Sequence, residues 1–347
     1  MPFRARLAFN YAAENDYQEA KIEDIQLGTG GENLPEPLQN NSLQKLIGWI
    51  VNAYDGYARY PEDFPNYHDP NSAALLGGEI EDFPTKSYRQ AECRPCPMEL
   101  TRNQALATGL MPLERIPGVD PDQLNTVQNV RPAVLWFDGM HDSSDEHQCI
   151  INLTGGVPAI LYDYEEFVRD QLERIAEYNK NPGHTTKIVP IFSGHSMGAM
   201  IATAIAAKEH YGSVGLNGLG LGRGIRERFV GKENMQWVDG NPNAMLWLQE
   251  EKDDTSDPSV SPIYRAHPGK VFRFAASRSV EAEENNPTPD PILCGHFGYR
   301  YMLWEHGIRW SEETFPLKET NSPKGGDSEK EATPLEGGAQ SQVAYAQ

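Results

Sequence analysis

The stretch Gly194-His195-Ser196-Met197-Gly198 sets one serine between two glycines, where the short apolar run Lys187–Phe192 gives way to an alanine-rich segment. A serine hydroxyl becomes a useful nucleophile when a base takes its proton and a carboxylate orients that base. A sharp strand-to-helix turn suits such a serine. It thrusts the hydroxyl outward, requires small residues two positions either side, and sets it at a helix N-terminus whose N–H groups can stabilise an oxyanion. Gly194 and Gly198 meet the second requirement, and Ala199, Ala202 and Ala206 would let the helix lie close to a sheet. The pattern alone is weakly specific; the β-type run before it and the small-residue helix after it strengthen the reading.

Four histidines follow Ser196. His210 falls late on the expected helix, His267 precedes the apolar run KVFRF, and His306 closes a C-terminal helix. His296 lies after that run between Gly295 and Gly298, with freedom to swing over a serine, and is the expected base. The acid should stand at the C-terminal end of a strand between Ser196 and His296. Asp239, ending NMQWVDG, is preferred; Asp253, Asp254 and Asp257 are alternatives in EEKDDTSDPS, an acidic loop that reads as solvated, with Asp257 the strongest of the three. The backbone N–H of Met140 or His141, in LWFDGMHDSS, is expected to pair with that of Met197 as an oxyanion hole.

Other motifs weigh less. His141, His147, Asp142 and Asp145 suit a solvated polar loop better than a metal site, within a segment 141–160 that could form a flap. The spacing of Cys93 and Cys96 matches a zinc or redox half-site, but no second pair follows at finger spacing, and reduced cysteines are expected. Asn152-Leu153-Thr154 matches a glycosylation acceptor by chance. GLNGLGLGRG fits no dinucleotide or P-loop spacing; it reads as a strand whose glycines let backbone run close beneath the site. No cofactor and no metal are expected.

These residues need elements to hold them. RPAVLWFDG, KIVPIF, SVGLNGLGLG, ENMQWVDG and KVFRFAAS read as strands; YDYEEFVRDQLERIAEYNKN and AMIATAIAAKEHYG read as helices. Pro190 calls for a bulge, or for a strand that starts at Ile191. The alternation implies an α/β domain over residues 131–310, its mostly parallel central sheet flanked by helices. Residues 1–130, with a helix over 42–60, read as an irregular region packing on it. Residues 311–347 are rich in Pro, Gly, Ser and Glu and read as a disordered tail.

The chain has 347 residues, with 50 acidic and 30 basic side chains and a formal charge of −20. That balance repels nucleic acid and anionic lipid headgroups. The first residues lack the apolar core of a signal peptide, and no run approaches the ~20 apolar residues that cross a bilayer. A soluble protein is expected, cytoplasmic or exported without an N-terminal signal.

At this point the sequence resembles the lipase class 3 (fungal triacylglycerol lipase-like) branch of the α/β-hydrolases, over about Val130 to Trp310. AVLWFDGM looks like that family's strand and oxyanion turn, INLTGGVPAILYDYEEFVRDQLERI its flap and following helix, and GHSMGA its nucleophile turn. VDGNP and GHFGYRYM fall where it places its acid and last histidine. The resemblance implies an α/β-hydrolase fold with Ser196 as nucleophile, Asp239 as acid, His296 as base, and Met140 and Met197 as oxyanion donors. It implies a cofactor-free serine hydrolase of carboxylic esters, acyl lipids above all; the flap's Ile150, Ile151, Leu153 and Val157 could line an acyl groove, meet a lipid surface transiently or be ordinary core. Acyl transfer or thioester cleavage at the same site, and a hydrolase-like module that binds without turnover, are the alternatives.

Overall fold

Runs of buried apolar residues build the centre of the molecule. The computed structural model describes residues 23–24, 36–59, 87–88, 91–96, 98–140, 143–250, 253, 266–274 and 296. All belong to one unit, Met1–Phe315; the expected tail lies outside the described residues. The strands are β1 (Glu23–Asp24), β2 (Ser87–Tyr88), β3 (Ala91–Pro95), β4 (Leu100–Thr101), β5 (Asn129–Phe137), β6 (Thr186–His195), β7 (Gly212–Leu216), β8 (Met245–Glu250) and β9 (Lys270–Phe274). Six of them run parallel in the order β5-β6-β7-β8-β9-β1. The sheet is extended beyond β5 by antiparallel β3 and then β2, and β4 also pairs β5. The fold is thus mixed α/β with a mostly parallel sheet.

The helices are α1 (Asn41–Arg59), α2 (Arg102–Thr108), α3 (Ser143–Leu153), α4 (Ile160–Lys180), α5 (Met197–Glu209) and α6 (Lys232–Gly240). β5 to β9 lie side by side in chain order, so right-handed crossovers put their helices on one face. Residues of α4, α5 and α6 accordingly share a core with Leu135, Phe137, Phe192 and Trp247. The opposite face carries Val134, Trp136, Val189, Leu246, Leu248 and Phe272, and is covered from the N-terminal half by Leu43, Leu46, Ile47 and Ile50 of α1 and Ala105 of α2. That half therefore does more than pack on a finished domain: its β3 and β4 are strands of the same sheet.

Two expectations are corrected. ENMQWVDG is not a strand but lies within α6: Met235 and Val238 are buried three positions apart, a helical spacing, and the helix stops before Asn241-Pro242. The strand comes next, at MLWLQE, all six residues of which are buried. Pro190 needs neither a bulge nor a late start, because β6 runs straight through it in register with Ala133. β7 pairs with β6 only from Ile191 onward, so the missing N–H removes no bond to that neighbour.

Among the described residues no helix is long and apolar enough to cross a membrane. Cys93 and Cys96 belong to the cores on opposite faces of the sheet, so their spacing does not make a half-site. Burial pushes the Cys96 thiol up to about 12, which keeps it protonated.

Candidate active site

In a mostly parallel sheet the C-terminal strand ends converge on one edge, where ligands bind in open α/β folds. β6 ends at His195 and α5 begins at Met197, so Ser196 is the whole turn. It holds φ 57° and ψ −120°, outside the regions a non-glycine residue ordinarily adopts. Such strain costs about 1–3 kcal/mol and persists only where surrounding structure enforces it. Here the Ser196 N–H donates to Leu216 O at 3.0 Å, and Ser196 O accepts from Leu219 N at 3.4 Å.

The flanking glycines answer both to the turn and to a neighbour. A methyl on Gly198 would sit 2.0 Å from Phe137 O and 2.5 Å from Asp138 O; one on Gly194 would sit 2.4 Å from the Gly198 carbonyl carbon. The elbow is pressed against the end of β5, and only glycine permits that approach. A methyl on Gly139 would lie 3.4 Å from Ser196 Cβ, so the loop after β5 runs beside the serine. Met197 is buried as the first residue of α5, whose opening N–H groups have no intrahelical partner. Met140 is 52% exposed on the loop beside it. The sequence-expected oxyanion segments therefore flank Ser196, whereas His141 lies outside the described residues.

His296 is buried, and its Nδ1 lies 3.0 Å from Oδ1 of Asp253, which is fully buried. The expected partner Asp239 is elsewhere: it is exposed, on the last turn of α6, because the segment that should have carried it to a strand end is that helix. The carboxylate in place is three residues beyond β8, held by a turn in which Asp253 N donates to Glu250 O at 3.1 Å. Asp253 is thus no part of a solvated loop, and Asp254 and Asp257 lie outside the described residues. No family model, no curated protein and no solved structure matches this chain. Its chemistry must be read from its own geometry.

Since a carboxylate only accepts, His296 Nδ1 carries a proton, so a neutral ring would be the tautomer with its lone pair on Nε2. The main chain of His296 is fixed to the elbow as well. His195 Nε2 donates to His296 O at 2.8 Å, and Asn217 Nδ2 donates to the same oxygen at 3.0 Å. The rings of His195 and His296 lie 4.5 Å apart, centroid to centroid. Ser196, His296 and Asp253 are therefore gathered at one edge, with Met197 and the Gly139–Met140 loop.

Burial, and after it the neighbouring His296, lower the pKa of His195 to about 3 from 6.5. At neutral pH it is uncharged in the folded protein, and its donation to a carbonyl places its proton on Nε2. Unfolded, it takes up a proton near its ordinary value. The folded state therefore loses stability as pH falls from about 6.5 to about 3, by at most about 5 kcal/mol, and no more below that. Denaturant unfolding across that range should show this slope reduced in His195→Gln; an unchanged slope would mean that other groups carry the acid sensitivity.

The remaining candidates are structural. His210 caps α5 in a left-handed conformation, bonds Asn234 Oδ1 at 2.8 Å and stacks on Trp237. His267 lies 3.1 Å from Gly218 O and edge-on to Trp247. His306 lies outside the described residues. Among the described residues no group of three or more His, Cys, Asp or Glu could hold a metal, and His147 is an exposed position on α3. Asn152, fully buried, bonds Gly220 O at 3.2 Å and Gly222 N at 2.7 Å, which excludes a glycan and fastens α3 to the loop after β7. Asn217, at φ 43°, went unnoticed in the sequence inside a glycine-rich run; nothing local distinguishes it from an ordinary turn asparagine.

Proposed function

We propose that this chain is a serine hydrolase of carboxylic esters with an α/β-hydrolase fold and Ser196, His296 and Asp253 as its triad. The observation that carries the reading is the buried Asp253–His296 pair, bonded at 3.0 Å and anchored through His296 O to the residue before a strained serine. Ser196 Oγ attacks the ester carbonyl, and its proton passes to His296 Nε2. Asp253 holds Nδ1–H and stabilises the imidazolium. The N–H groups of Met197 and Met140 face the developing oxyanion. The imidazolium then protonates the leaving alcohol. Water, deprotonated by the same nitrogen, clears the acyl-enzyme.

The order of strands supports the fold: the serine follows β6, the acid follows β8 and the histidine follows β9, the chain order Ser, acid, His of that superfamily. An acyl substrate suits the surroundings. Met140 is 52% exposed and Ile150, on α3, 39% exposed, on segments that leave the same sheet edge, whereas Leu153 is buried core. The net charge of −20 favours neutral lipids or soluble esters over anionic membranes.

A fluorophosphonate probe tests the reading directly. Covalent labelling is expected on Ser196, located by peptide mapping, and should disappear in Ser196→Ala. Folded protein that takes up no label would overturn the hydrolase in favour of a module that binds without turnover. If labelling succeeds, a competing alcohol or thiol added with the ester separates water from another acyl acceptor.

A further inference from the structure

The geometry points to His195 and Asn217 as positioning residues that clamp the main-chain carbonyl of His296 and so set the base against Ser196. The inference rests on the triad proposed above.

His296 arrives a hundred residues after Ser196, and its Nδ1 is bonded to Asp253. A ring can pivot about such a bond, and a displacement of about 1 Å at a reacting group can cost about 10²-fold in rate. The backbone oxygen of His296 supplies the second fixed point. It accepts from His195 Nε2 at 2.8 Å and from Asn217 Nδ2 at 3.0 Å, using both of its lone pairs. All three side chains are buried.

Each donor is itself set by the machinery it serves. His195 precedes the nucleophile, so the ring that grips the base is rigidly joined to the residue the base must reach. Asn217 Oδ1 accepts from Glu250 N at 2.8 Å, and Glu250 O accepts from Asp253 N at 3.1 Å. These partners also fix the amide's orientation: the oxygen must face Glu250 N–H and the nitrogen must face the His296 carbonyl. Asn217 N donates to Leu248 O at 2.9 Å, tying the end of β7 to β8. One asparagine thus holds the acid-bearing segment and the base-bearing segment together, and its left-handed φ of 43° is a conformation asparagine accepts more readily than most residues.

The test compares His195→Phe, which keeps a ring and loses the donor, with His195→Gln, whose amide can still donate. Asn217→Gly keeps the backbone conformation and loses both side-chain bonds. Ester turnover and the rate of fluorophosphonate labelling are measured alongside thermal unfolding. In His195→Phe, kcat and the labelling rate should fall about 10²-fold with KM within about threefold, and His195→Gln should recover most of the loss. Asn217→Gly should show the same selective loss of kcat, and it decides the matter should His195→Phe not fold. Folded variants that turn over and label as fast as wild type would overturn the clamp and leave the triad standing. Loss confined to KM, or a His195→Gln as impaired as His195→Phe, would also overturn it. Wild-type protein that never labels refutes the triad instead.

Discussion

Ser196→Ala should lower kcat for ester hydrolysis by on the order of 10⁶ while the protein melts within a few degrees of wild type. The size follows from the way a triad works as a unit: without the hydroxyl, the imidazole and its carboxylate have no nucleophile to activate, and the oxyanion donors and substrate binding leave only a residual rate. The small effect on stability follows from what holds the turn. Among the described residues the bonds at residue 196 are those of its backbone, to Leu216 O, Leu219 N and Met200 N, and alanine keeps all three. The close approach to β5 is made by Gly194 and Gly198, which the substitution leaves alone. Turnover unchanged from wild type would show that this serine is not the nucleophile.

The turn at Ser196 was legible because its signal is local. A glycine two positions either side of Ser196, a β-type run before it and alanines after it describe the turn without reference to the rest of the chain. The tightness of the turn accounts for part of the need for glycine, since Gly194 faces the Gly198 carbonyl; the rest comes from Phe137 O and Asp138 O, about sixty residues earlier, which no local signal announces. The positive φ falls on Ser196 itself.

The carboxylate that bonds His296 was hidden for a physical reason. Six consecutive buried residues in MLWLQE show no alternation and no helical period, since a strand covered on both faces has neither. ENMQWVDG, with apolar residues and a terminal Asp-Gly, imitated a strand better than the strand did. Asp253 then stood among acidic neighbours whose composition is that of a solvated loop, and only tertiary structure brings it to zero exposure against His296. The short strands β3 and β4 were illegible for a related cause. They join β5 through backbone bonds that AECRP and LT, too short and mixed to show a period, do not announce. The cover that the N-terminal half lays on the sheet was likewise a consequence of topology: strands β5 to β9 advance in one direction, and the face their crossover helices leave bare must be closed by something else.

Asp253 and Asp239 give the sharpest discrimination between what the sequence favoured and what the geometry favours. Asp253→Asn should cost about 10⁴ in kcat, whereas Asp239→Asn should leave kcat within about twofold. The argument concerns one proton. A carboxylate 3.0 Å from Nδ1 fixes a hydrogen on that nitrogen, so in the neutral ring Nε2 is the acceptor. An asparagine of the same shape can turn its NH₂ toward Nδ1, which then accepts; the ring proton moves to Nε2, and the nitrogen that should receive the serine proton has none of its lone pair to offer. The variant also loses the charge that stabilises the imidazolium in the transition state. Asp239, exposed at the end of α6, faces solvent, and its replacement alters no bonded partner of the site. Measured on the same ester at neutral pH, a large loss for Asp239→Asn with none for Asp253→Asn would reverse the assignment.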